Sequence, residues 1–130
     1  MKIGSYGFTA EKTRGKAPWT IYYNAKCSKS REALDLLRSR GVDPVVVNYQ
    51  ETPLSANELR ELIAVLKVPA KDLLRTKEKA FSGLNISLES AEDVIHTLAT
   101  HPELLERPIV VHGDRAVVAR PPERALELLD

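Results

Sequence analysis

Hydrophobic positions divide the chain into short apolar runs and helical stripes. Trp19 to Tyr23 is β-branched and aromatic and reads as a strand. Ser28 to Arg40 carries Ala33, Leu34, Leu36 and Leu37 on one stripe, with Arg31, Glu32, Asp35 and Arg38 around the other side. Gly41, just past the end, is the expected stop. Pro44 to Tyr49 is a near-continuous apolar run, which suits a strand covered on both faces of a parallel sheet. Strand, helix and strand make a βαβ unit.

The next stretch is helical. Ser55-Ala56-Asn57-Glu58 is a capping box, in which hydroxyl and carboxylate satisfy exposed amides reciprocally. Its helix runs to about Lys67, with Leu59, Leu62, Ile63 and Leu66 inward and Pro69 as the stop. Ala70 to Arg75 reads as a short helix and Thr76 to Asn85 as a loop. Ser90 caps a further helix, carrying Val94, Ile95 and Leu98, that stops by His101-Pro102, and Glu103 to Glu106 is one more turn. Arg107 to Val111 is a strand opened by proline, His112-Gly113-Asp114-Arg115 a turn, and Ala116 to Ala119 the returning strand of an antiparallel hairpin. Glu123 to Leu129 is a final helix with Pro122 near its first position. A βαβ half, three helical segments and a ββα half predict an α/β protein with a mixed sheet and a helical insertion. That is the order of the thioredoxin/glutaredoxin-like fold. Met1 to Pro18 has no clear period and reads as a flexible extension, leaving 19–130 as a single domain.

Composition narrows the class of function. The chain has 130 residues, 43% of them apolar, enough for one core. Nineteen basic residues against eighteen acidic give a net charge of +1, so neither nucleic acid nor an anionic membrane is an expected partner. No apolar run is long enough to span a membrane, and the first residues form no secretory signal. A single cysteine allows no intramolecular disulfide. A redox role for it needs a second thiol from elsewhere, which suits a reducing cytoplasm rich in glutathione.

That cysteine, Cys27, follows the first strand and precedes the first helix. The exposed amides and positive dipole end of a helix stabilise a thiolate, and thiolate population sets cysteine reactivity. Lys26, Lys29 and Arg31 act in the same direction. The alternative is a buried structural cysteine, but its neighbours, Asn24, Lys26, Ser28, Lys29, Ser30 and Arg31, are not core types. His96, His101 and His112 form no ligand spacing, so no metal is expected. The six glycines are scattered and form no phosphate loop.

The residues around Cys27 resemble the signature of the glutaredoxin-like arsenate reductases, Tyr-x-Asn-x-x-Cys-x-x-Ser-Arg, here Tyr22-Tyr23-Asn24-Ala25-Lys26-Cys27-Ser28-Lys29-Ser30-Arg31. Leu73-Leu74-Arg75, Arg107-Pro108-Ile109-Val110-Val111 and Arg120-Pro121 follow in the family's order. The resemblance implies Cys27 as catalytic nucleophile, Arg75, Arg107 and Arg120 as ligands of a tetrahedral oxyanion, and Pro108 as a cis proline beside the thiol. It implies reduction of arsenate to arsenite by a monomer with no bound cofactor, glutathione as co-substrate and a glutaredoxin resolving the last mixed disulfide. Arginine suits the anion because its planar fork binds oxyanions bidentately.

Each of these residues has a plainer reading. Arg75 can cap its short helix and Arg120 can lie on the surface. Asn24 is expected to shape the loop rather than touch the anion. Ser30 is expected to satisfy the helix start rather than bond the thiol, and Arg31 to act locally. Tyr23 stands where many members of the family have histidine, and Ala25 where they often have proline. Two other functions compete. One is a glutathione-dependent thiol enzyme of the same fold acting on another substrate. The other is a polymerase-binding regulator of the Spx type. Such regulators typically carry Cys-x-x-Cys, and Ser30 at the second position excludes that disulfide switch.

Overall fold

A computed structural model describes residues 18–129. The extension expected over Met1 to Pro18 lies outside them, Pro18 excepted. The chain divides into two compact units, 18–48 with 107–129, and Tyr49–Glu106.

The first unit is built on a four-stranded sheet. β1 (Trp19–Tyr23), β2 (Val45–Asn48), β3 (Ile109–His112) and β4 (Arg115–Val118) lie in the order β2-β1-β3-β4. β1 runs parallel to β2, with Ile21 opposite Val46, and antiparallel to β3, with Ile21 opposite Val110. β4 returns against β3, pairing Val117 with Val110. Gly113 turns the hairpin with φ of 64°, a backbone that glycine adopts without Cβ strain. α1 (Ser28–Ser39) crosses between β1 and β2. Ile21, Val110 and Val117 from the sheet, Ala33, Leu34 and Leu37 from α1, and Ala125 and Leu128 from a C-terminal helix form one buried cluster. This is the mixed-sheet thioredoxin-like arrangement that the order of elements predicts.

Three local expectations change. β2 is not covered on both faces: Val45 and Val46 are 60% and 40% exposed. β2 is the edge of its sheet with β1 as its neighbour, so apolar composition there reflects strand propensity rather than two-sided burial. The strand expected from Arg107 begins at Ile109, because Pro108 has no N–H to give a ladder. The Arg107–Pro108 peptide bond is cis, as the resemblance implies, and so is Arg120–Pro121, which nothing in the sequence reading anticipated. The last helix, Pro122–Leu128, is 3₁₀ rather than α.

The second unit holds α2 (Ala56–Leu66) and α3 (Ala91–Thr100). The capping box of α2 is complete: Glu58 N–H donates to Ser55 Oγ at 3.1 Å, and Ser55 N–H to Glu58 Oε1 at 2.8 Å. α2 ends at Lys67 in the left-handed conformation, φ 59°, two residues before the proline expected to stop it. Ile63, expected inward, is half-buried. Ser90 caps α3. Arg60 on α2 grips both carboxylate oxygens of Glu92 on α3, at 3.1 and 2.7 Å. Short 3₁₀ turns at Ala70–Leu73, Lys79–Phe81 and Pro102–Leu104 complete the unit. Among the described residues no helix is long and apolar enough to cross a membrane.

Candidate functional site

The site begins with how α1 starts. Cys27 is the N-cap residue, in extended backbone with φ −100° and ψ 120°. An N-cap side chain ordinarily supplies an oxygen to the exposed amides of the first turn. Here the position holds sulfur. The side chain makes no capping hydrogen bond. Cys27 is partly buried, and burial is the largest single influence, pushing its pKa up. Against it act the Ser30 amide, the Arg107 guanidinium, the Lys29 amide and the Ser30 hydroxyl, each favouring the charged sulfur. Together they outweigh burial and hold the thiol below its ordinary value. Three of these groups come from the helix start, and the fourth is a cation from the segment entering β3.

The approach to Cys27 is a tight loop. Its N–H donates to the Asn24 carbonyl at 2.9 Å. The Asn24 side-chain oxygen accepts from Lys26 N–H at 3.0 Å, so Asn24 shapes the turn. Arg31 Nη1 donates to the Ala25 carbonyl at 2.6 Å, which closes the loop from the helix side. Tyr23 is partly buried and packs against the core of the sheet.

Ser30 differs from expectation. It is fully buried, and its hydroxyl accepts from Asn24 N–H at 3.3 Å while also serving the sulfur. Expecting only polar, exposed neighbours around Cys27 overlooked this. The signal was present: positions 30, 33, 34 and 37 form one helical stripe, and the three besides Ser30 are apolar.

The candidate arginines separate. Arg107 meets the thiol. Arg120 donates from Nη1 to the main-chain carbonyl of Arg107 at 2.9 Å, a partner the sequence could not suggest. Pro108, fully buried, accepts from Ala119 N–H at 2.9 Å. Arg75 belongs to the second unit. Its Nη2 lies 2.9 Å from Glu78 and its Nε 3.8 Å from Glu106. Its Nη1 is buried and has no hydrogen-bond partner among the described residues. The segment that carries it is tied down: Arg75 N–H donates to Leu104 O at 2.8 Å and Glu106 N–H to Leu73 O at 2.7 Å. Among the described residues no cluster of three or more His, Cys, Asp or Glu is placed to hold a metal.

A partly exposed thiolate at a helix start, beside an arginine, can attack an electrophilic centre bearing negative oxygens. The model of the ArsC family matches residues 22–128 of the chain. The chain is 46% identical over 112 residues to a protein of Escherichia coli strain K12 called uncharacterized protein YfgD, covering 84% of this chain and 94% of that one. It is 40% identical over 113 residues to an arsenate reductase of Haemophilus influenzae, covering 84% and 97%. A solved structure of an arsenate reductase from Vibrio cholerae superposes with a TM-score of 0.78 at 40% identity, covering 86% of this chain and 98% of that one.

Proposed function

This chain belongs to the ArsC family, and from that premise we propose that it reduces arsenate to arsenite as a monomer, with Cys27 as its single nucleophile, glutathione as co-substrate and a glutaredoxin as the last reductant. The observation that carries the reading is the Arg107 guanidinium on the Cys27 sulfur at the start of α1. That pairing favours the anionic form of the sulfur and leaves a cation where an incoming oxyanion needs one.

The electrons balance with two thiols. The Cys27 thiolate attacks arsenic(V), and one oxygen, protonated, leaves as water. The glutathione thiol then supplies the second sulfur. As the glutathione sulfur bonds to the Cys27 sulfur, the sulfur–arsenic bond breaks and its electron pair stays on arsenic, which leaves as arsenite in the arsenic(III) state. A further thiol, delivered by the glutaredoxin, exchanges with the Cys27–glutathione disulfide and restores the thiolate. One protein cysteine is enough for this sequence, which agrees with the count. The family motif offers Arg75 and Arg120 as further oxyanion ligands.

The test is a coupled assay with arsenate, glutathione, glutaredoxin and an NADPH-driven recycling system. Wild type should turn over. Cys27→Ser should lose arsenate-dependent turnover by at least about a thousandfold, as removal of a covalent nucleophile does. Arg107→Ala should cost about a hundredfold in kcat/KM, the scale of one charged donor on a developing anion. A wild type no faster than Cys27→Ser rejects arsenate as substrate.

One observation favours the second reading, a glutathione-dependent thiol enzyme with another substrate. Glu78 and Glu106 both face Arg75 and offset its charge, which weakens attraction for a dianion. Under that reading, turnover appears with a low-molecular-weight mixed disulfide of glutathione and not with arsenate.

A further inference from the structure

Arg120 spends part of its fork on a main-chain atom. Its Nη1 donates to the carbonyl oxygen of Arg107 at 2.9 Å. Beside it, Ala119 N–H donates to the carbonyl of Pro108 at 2.9 Å. The chain leaving β4 is therefore tied twice to the two residues that lead into β3, once through backbone and once through a side chain. The carbonyl that Arg120 holds belongs to Arg107, whose own side chain reaches the thiol. A guanidinium on a carbonyl is a charge-assisted bond, stronger and shorter than a neutral one. Fixing that carbonyl fixes the peptide plane on the C-terminal side of the Arg107 Cα, and with it the direction in which the Arg107 side chain leaves the backbone.

We infer that Arg120 is a positioning residue: it holds the Arg107 carbonyl and, through that peptide plane, sets the direction from which the Arg107 guanidinium meets the Cys27 sulfur. This differs from the anion contact that the family motif implies for Arg120, and it rests on the function proposed above for its kinetic test alone. The two roles differ in the donor they need. A carbonyl takes one hydrogen bond, which an ammonium supplies. An oxyanion held bidentately needs the planar fork, which lysine lacks.

The experiment compares Arg120→Ala and Arg120→Lys with wild type in two measurements. The first is ultraviolet titration of the Cys27 thiolate without arsenate. The alanine variant should titrate higher than wild type, toward the ordinary thiol range, and the lysine variant should titrate like wild type. The displacement should persist at about 1 M salt, where through-space attraction is screened within about 3 Å. The second is steady-state kinetics. Alanine should lower kcat about tenfold, the scale of a modest misplacement of a reacting group, with the arsenate KM within about twofold. Lysine should recover at least half of kcat. An alanine variant that titrates like wild type overturns the inference, as does a displacement that high salt abolishes. A loss confined to KM and not rescued by lysine also overturns it, in favour of direct anion contact. If the alanine variant does not fold, the lysine variant decides. Wild-type titration and KM support positioning; titration displaced as far as in Arg107→Ala overturns it. Because the titration uses no arsenate, a wild type that turns over no arsenate rejects the function proposed above and leaves the titration to settle Arg120.

Discussion

At the scale of the residue, Cys27 is a balance between burial and donors. Burial raises its pKa, and the Ser30 amide, Arg107, the Lys29 amide and the Ser30 hydroxyl lower it further than burial raises it. The sign for activity follows. Thiolate-dependent rate should climb as pH rises through the lowered value and level off at a lower pH than it would for a thiol of ordinary pKa. The sign for stability is that of an acid depressed on folding. The contribution is fully present above the unfolded thiol's pKa and disappears as pH falls through the folded one. Ser30→Ala removes the hydroxyl donor and leaves the Asn24 amide without its acceptor. Its pH–rate shoulder should therefore move up, lowering kcat/KM by about threefold to tenfold at a pH below the shoulder, for a hydrogen bond worth about 0.7–1.4 kcal/mol. A variant whose profile overlays wild type would remove the hydroxyl from thiol activation.

At the scale of the element, the two units rely on different devices. α1 begins on a sulfur with no ordinary cap, yet ends on a well-formed stop. Gly41, at φ 82°, sends its N–H to the Arg38 carbonyl at 3.0 Å, and Val42 sends its own to Leu37 at 3.0 Å. Val42 then packs against the core, which fixes the departure toward β2. α2 is the reverse, with a complete capping box at its start. Ser55→Ala should destabilise the protein by about 1 kcal/mol in chemical denaturation, the usual cost of losing such a cap. The thiolate titration should be unchanged, because Ser55 contributes nothing to the donors around Cys27. A shift in that titration would mean that α2 and the thiol are coupled.

For the whole molecule, the sequence disclosed what is local and left open what is distant. Period and punctuation placed β1, α1, α2 and α3 within a residue or two, because stripes, caps and a stop glycine act over one or two turns. The place of Cys27 at a strand–helix junction was legible for the same reason. Exposure of Val45 and Val46 was not, because an apolar run reads alike at an edge and at a centre. The left-handed Lys67 that stops α2 carries no compositional mark. Arg120 is the clearest case of the limit: its motif marked it as an arginine worth watching, but which atom it holds depends on the pairing of 119–120 with 107–108. The family motif named the three arginines, and composition alone offered no way to choose them from the other basic residues.

One consequence follows from the N-cap position of Cys27. Serine is among the residues that helix starts favour most there, and a thiol is a poor substitute. The change used to abolish turnover, Cys27→Ser, should therefore produce a sturdier protein, by about 0.5–1 kcal/mol. Scanning calorimetry at a pH low enough to keep the thiol protonated should show a higher melting temperature for the serine variant; an equal or lower one would mean that the sulfur already caps the helix as well as oxygen does. Chemistry has kept at this corner a residue that thermodynamics would trade away, so the inert form is the one that endures heat.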